Sequence, residues 1–273
     1  MNHLYCKSAE FFVTNCKRRS LQKNRTKIII FSLAFFLIGY SASGQIIQTL
    51  TPWTNLYNNN GTTYSNTSYT VPTGGNKFRI LVVAVTHTHS ATSTNTPTVS
   101  LTYGGQALTP FVGDITAQNN SSRVHTELYY LNETGLDAAA AQTAPTKTTL
   151  SLTYTITGGT SNNTTVFAAV YDGVDQSNPI TYSQNRLAGT TATNSASLSS
   201  AISVDQDDLA LEVISAVRNG NTTAFTINSP PTNWSLTSVT ATNSDYFVNA
   251  VATRSVPTST ITDLSTTGTS TNV

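Results

Sequence analysis

The segment Phe78-Arg-Ile-Leu-Val-Val-Ala-Val-Thr86 is apolar on both faces, with Ile80, Val82 and Ala84 alternating with Leu81, Val83 and Val85. Successive side chains of a strand point to opposite sides, so a strand with this pattern has no face left for water and belongs between two packed layers. Shorter runs rich in Val, Ile, Thr, Tyr and Phe predict strands over Thr98–Tyr103, Val124–Leu131, Thr149–Ile156, Thr165–Tyr171, Leu209–Val217, Ser235–Thr240 and Tyr246–Thr253. Turn residues separate them: Gly74-Gly75, Gly104-Gly105, Gly158-Gly159, Asn219-Gly220 and Pro230-Pro231. Val99–Tyr103, the two glycines and Gln106–Thr109 read as a tight hairpin, because two glycines supply the positive φ angles of a two-residue turn. Only Asn132–Thr143, around Leu136-Asp-Ala-Ala-Ala-Ala141, has a helical pattern. Many short strands without interleaved helices predict an all-β fold, an antiparallel β-sandwich of jelly-roll-like kind in a single domain.

The composition of that domain is polar without being charged. Residues 45–273 hold 48 Thr, 25 Ser and 22 Asn among 229 residues, but only 19 charged side chains. Disordered chains lack the β-branched and aromatic runs that recur here, so the polar content is assigned to strand faces and turns. Asn55–Ser68 and Thr92–Thr96 read as surface loops, and the Thr/Ser-rich tail from Thr258 holds at most one edge strand. The organisation expected is residues 1–44 as a signal segment, 45–67 as an N-terminal strand and Asn-rich loop, 68–257 as the sandwich and 258–273 as the tail.

Charge divides the same way. Residues 1–44 carry 7 of the 14 Lys and Arg and 1 of the 13 Asp and Glu, a net +6 that leaves −5 on the remainder. Six cations between Lys17 and Lys27 precede thirteen uncharged residues, Ile28–Tyr40, and then Ala42-Ser43-Gly44, the pattern of a signal peptide cleaved before Gln45. Thirteen residues fall short of the roughly 20 that cross a bilayer, so membrane association is expected only through this segment before cleavage. Cys6 and Cys16 both lie in it, leaving the remainder without a disulfide or thiol nucleophile. A chain of this size buries enough surface to fold without them. The expected location is secreted or at the cell surface of a bacterium, and the acidic remainder excludes nucleic acid as a partner.

Val71-Pro72 before the buried strand, Leu101-Thr-Tyr-Gly-Gly-Gln-Ala-Leu108, Glu127-Leu-Tyr-Tyr-Leu131, Val170-Tyr-Asp-Gly-Val-Asp-Gln-Ser-Asn-Pro179 and Asp208-Leu-Ala-Leu-Glu-Val213 follow one another along the chain. Together they resemble a β-sandwich module of large secreted bacterial surface proteins, with YGGQxL and GVDQxxP turn signatures, over roughly residues 68–255. The resemblance implies the fold and an adhesin-like setting, and no chemistry.

Candidate sites are few. His87-Thr-His89 and His125-Thr-Glu127 each place two ligating side chains on one strand face, and together they offer a metal three imidazoles and a carboxylate. The weighing alternative is strand-end histidines bonded to hydroxyls. Asp172 and Asp175, with Asp205, Asp207 and Asp208, form the acidic turns where calcium, the one cofactor considered, would bind; Asp in turns also bonds its own backbone. Trp53, Tyr57 and Tyr64, with Trp234 and Tyr246 elsewhere, offer a platform for sugar rings if they are not core. Glu127 and Glu212 are the carboxylate pair on apolar strands that a glycosidase would need. No G-x-S-x-G, H-E-x-x-H, phosphate-loop or dinucleotide motif occurs. The reading is therefore an exported, non-enzymatic surface, adhesion or spacer module whose partners are surface glycans or proteins. The alternative is an extracellular carbohydrate-binding module stabilised by calcium.

Overall fold

Three antiparallel sheets lie one on another, with the both-faces-apolar strand in the middle one. The computed structural model describes residues 14–16, 47–72, 78–90, 98–118, 122–141, 149–157, 163–180, 195–197, 207–218, 235–242, 246–255 and 267–269. In chain order the elements are β1 (Thr14–Cys16), β2 (Gln48–Asn59), β3 (Thr63–Thr70), β4 (Ile80–Ser90), β5 (Thr98–Tyr103), β6 (Gln106–Ala107), β7 (Thr109–Gln118) and β8 (Ser122–Asn132). They continue with α1 (Glu133–Ala141), β9 (Thr149–Thr157), β10 (Asn163–Asp172), β11 (Ser195–Ser197), β12 (Leu209–Arg218), β13 (Ser235–Thr242), β14 (Tyr246–Ser255) and β15 (Thr267–Thr269).

The middle sheet has the order β2-β10-β4-β8-β7. One of its faces packs on the sheet β3-β9-β5-β6 and on α1, through Leu81, Val83, Val85, Val166, Ala168 and Val170 against Tyr69, Leu101, Tyr103 and Leu136. Its other face packs on the sheet β1-β12-β14-β13, through Ile80, Val82, Ala84, Phe167 and Tyr171 against Leu209, Leu211, Val213 and Val251. The all-β sandwich expectation therefore holds, with three layers of strands where two would have sufficed for a simple sandwich. The reason is that β4 and β10 carry apolar residues on both faces, and each face needs its own cover. β11 and β15 pair separately.

The two-glycine turn behaves as read, and further local contacts fix the ends of the strands. Gly104 and Gly105 take φ of 54° and 81° between β5 and β6, so Tyr103 pairs with Gln106 across the two-residue turn. Asn132 caps α1, its Oδ1 accepting the Gly135 N–H at 3.1 Å. Arg79 at the start of β4 forms an ion pair with Glu133, whose carboxylate also accepts the Arg79 backbone N–H at 2.7 Å. The Asp172–Pro179 turn clasps the same corner: Val174 N–H donates to the Phe78 carbonyl, and the Gln176 side chain accepts from Glu133 N–H at 2.7 Å.

One expectation is corrected. Asn55–Ser68 is not a loop: β2 runs to Asn59 and β3 begins at Thr63, pairing Tyr64 with Tyr154 of β9. Backbone pairing is indifferent to side-chain polarity, so an Asn/Thr/Ser-rich edge strand carries no apolar signal. Thr14–Cys16 of the basic head is placed as an edge strand against Leu209–Leu211 of β12. The Thr92–Thr96 segment lies outside the described residues. Among the described residues no helix is long and apolar enough to cross a membrane.

Candidate functional site

Along the three central strands the chemistry changes at one level. In β4 the apolar run Ile80–Val85 gives way to Thr86-His87-Thr88-His89, in β10 Val166–Tyr171 is preceded by Asn163-Thr164-Thr165, and in β8 Leu128–Leu131 is preceded by His125-Thr126-Glu127. Register aligns the changes: Val85 pairs with Val166 and Glu127, and Thr86 pairs with Thr165 and Thr126. The polar band is as inaccessible as the apolar half beside it, since His87, Thr86, Thr126, Thr164 and Thr165 are all at 0% exposure.

On the face toward β5 and β9 the band consists of imidazoles. His87 stands directly opposite His125, and His89 lies two residues along. The His87 and His125 rings are parallel within 1° at a centroid separation of 4.6 Å, as side chains on paired strands stack. His89 and His125 meet nitrogen to nitrogen, with Nε2 atoms 2.6 Å apart, so a single proton lies between them. Neither ring nitrogen of His87 has a hydrogen-bond partner among the described residues. Burial, reinforced by His125 and His89, holds the His87 imidazole well below its usual pKa, and it is neutral at physiological pH.

The expected fourth member is engaged elsewhere. Glu127 is buried and accepts a hydrogen bond from the Tyr129 hydroxyl, which is 3.3 Å from the Val99 carbonyl. Among the described residues no three His, Cys, Asp or Glu side chains are drawn together in ligating geometry. The structure thus brings the three imidazoles into one cluster and leaves the carboxylate out of it.

On the opposite face the same band is made of hydroxyls and an amide. Thr126 donates to Ser215 at 3.1 Å, Ser215 to Thr86 at 3.3 Å, and Asn249 Nδ2 to Thr165 at 2.8 Å, tying β12 and β14 to the middle sheet. Nothing in the sequence reading singled out Ser215 or Asn249. Their signal is a polar residue at an inward position of an otherwise apolar strand, Ser215 following Leu209, Leu211 and Val213 at a period of two.

The remaining candidates separate. Trp53 is a core residue packed with Phe167 and Val82, which removes it from any sugar platform. Tyr57 and Tyr64 do come together, rings 4.7 Å apart and tilted by 40°, but they pack against the other core. Trp53 and Tyr57 therefore point to opposite faces of the middle sheet although regular alternation would put residues four apart on one face, the consequence of the register shifts in β2, and Tyr64 of β3 packs on the Tyr57 side. Trp234 lies outside the described residues.

The acidic turns are built as turns. Asp172 accepts from Gly173 N–H at 2.8 Å, and Gly173 takes φ 82°. Asp175 Oδ1 accepts from the Ser177 N–H and hydroxyl at 2.8 and 2.6 Å. Asp207 sits at φ 69°, a left-handed position that Asp tolerates. Asp205 lies outside the described residues. Glu127 and Glu212 share no cleft. Glu127 faces the β5–β9 side, whereas Glu212 alternates with Leu211 and Val213 and so points away from the middle sheet, both being buried.

Comparison with protein-family models, with curated proteins and with solved structures found no match.

Proposed function

We propose that this chain is an exported, non-enzymatic β-sandwich module that serves at the cell surface as an adhesive or spacer block. The observation that carries the reading is the closure of both faces of β4 and β10 by a further layer, which commits the strong apolar residues and Trp53 to holding the block together. The charge-poor remainder and the signal-like head agree with a life outside the cytoplasm. Low charge gives little electrostatic steering, which suits a spacer or a contact based on shape and hydrogen bonding. Carbohydrate binding is the weaker reading, since Trp53 is unavailable and, among the described residues, the Tyr57–Tyr64 pair is what remains of the platform.

The test is expression of the whole chain in a bacterial host with a C-terminal epitope. The expected product lies outside the cytoplasm, begins at Gln45 and binds no sugar on a glycan array. Retention in the cytoplasm with an intact N-terminus would overturn export. A glycan signal abolished by Tyr57→Ala would replace the spacer reading with the carbohydrate one.

A further inference from the structure

Four histidines occur in the chain, and the three beyond the basic head, His87, His89 and His125, meet in one buried cluster. Polar groups in an interior are normally hydrogen-bonded, and an orphaned one costs about 1–3 kcal/mol. His87 has two orphaned ring nitrogens at 0% exposure, and its neighbours spend their Nε2 atoms on each other. Two strands have thus placed three lone-pair donors where water does not reach.

We propose that His87, His89 and His125 form a binding site for one zinc-class divalent cation that pins β4 to β8. Neutral imidazole is a ligand for Zn, Co, Ni and Cu, while the cluster offers none of the multiple oxygens calcium requires. Bonds of about 2.0–2.1 Å in tetrahedral geometry separate ligand nitrogens by roughly 3.3 Å, so the His89–His125 contact opens by well under 1 Å to admit the ion. The third nitrogen comes from His87, which lies directly across from His125 and turns about its soft terminal torsion. The three rings stack, and the cation draws their nitrogens to one point. No bond is made or broken beyond coordination: the proton between His89 and His125 moves to the other nitrogen of its ring. Glu127, which accepts the Tyr129 hydroxyl, is not one of the ligands.

The experiment uses the full chain without a polyhistidine tag, carrying Cys6→Ser and Cys16→Ser so that the head offers no thiolate. The protein is stripped with chelator and titrated with Co²⁺ and then Zn²⁺. The expected result is a visible d–d band of a tetrahedral cobalt site, its displacement by one zinc ion per chain, and a rise of the melting temperature with zinc concentration. His89→Gln and His125→Gln should each weaken zinc binding about a hundredfold or more, whereas Asp175→Asn leaves it unchanged. Absence of a cobalt band and of retained zinc in the parent protein overturns the proposal. So does a site that survives in both histidine variants. If the variants fail to fold, the parent's band and zinc stoichiometry decide the question alone.

Discussion

The two halves of the central strands are equally buried and differently built. From Ile80 to Val85, and in Leu128–Leu131 of β8 and Val166–Tyr171 of β10 beside it, each residue adds apolar area to one of two cores. From Thr86 to His89 the same backbone ladder continues, yet the side chains are hydroxyls and imidazoles held by a sparse network that leaves His87 without partners. Strand pairing alone cannot account for the second half. A buried polar band is tolerated where it is satisfied, and here Ser215 and Asn249 Nδ2 bond across one face, although Asn249 Oδ1 has no hydrogen-bond partner among the described residues, while on the other face both ring nitrogens of His87 lack one.

Truncation in the apolar half should produce the largest loss. Phe167→Ala removes a ring buried between β4 and the β12–β14 layer and should cost about 3–5 kcal/mol in urea unfolding. The corner that closes this half is next: Glu133→Gln uncouples Arg79, whose side chain is only 14% exposed, and should cost about 2–3 kcal/mol, less than a fully buried pair because of that exposure. Replacing Glu133 without loss would show that the Gln176 and Val174 bonds hold the corner by themselves.

How much of this was legible in the sequence follows the same division. The alternation in Phe78–Thr86 foretold a strand covered on both sides, and the Gly104-Gly105 turn and the helical pattern from Asn132 were local signals acting locally. β3 was hidden because its ladder with β9 depends on a partner 79–92 residues away in sequence and on no apolar pattern of its own. The His87-x-His89 face could be read from a period of two, but the His87–His125 pairing is a matter of register between strands more than thirty residues apart. Trp53 was legible only as an aromatic; which way it points depends on the bulges of β2.

Smaller effects sharpen the contrast. Burial pushes the Tyr103 hydroxyl up to about 12 and raises Tyr69 as well, with each buried ring disfavouring the phenolate. The folded state then binds protons that the unfolded chain has released. Stability is fully present below pH 10 and is lost as pH rises toward 12, with these tyrosines ionising, by absorbance near 295 nm, only as the chain unfolds. A titration complete at pH 10 in the folded protein would contradict their burial. In the polar band, Ser215→Ala breaks the link between Thr126 and Thr86 and should cost about 1 kcal/mol in the same urea assay.

The most direct test sets one substitution from each half side by side in metal-free buffer. Leu81→Ala should lower stability by about 2–5 kcal/mol, while His87→Leu, which replaces an orphaned buried imidazole by an apolar side chain, should leave it unchanged or raise it by about 1 kcal/mol. A loss in His87→Leu comparable with that in Leu81→Ala would mean that the imidazole is an ordinary packed core residue, and that the polar half of the sheet is not held in reserve for a ligand.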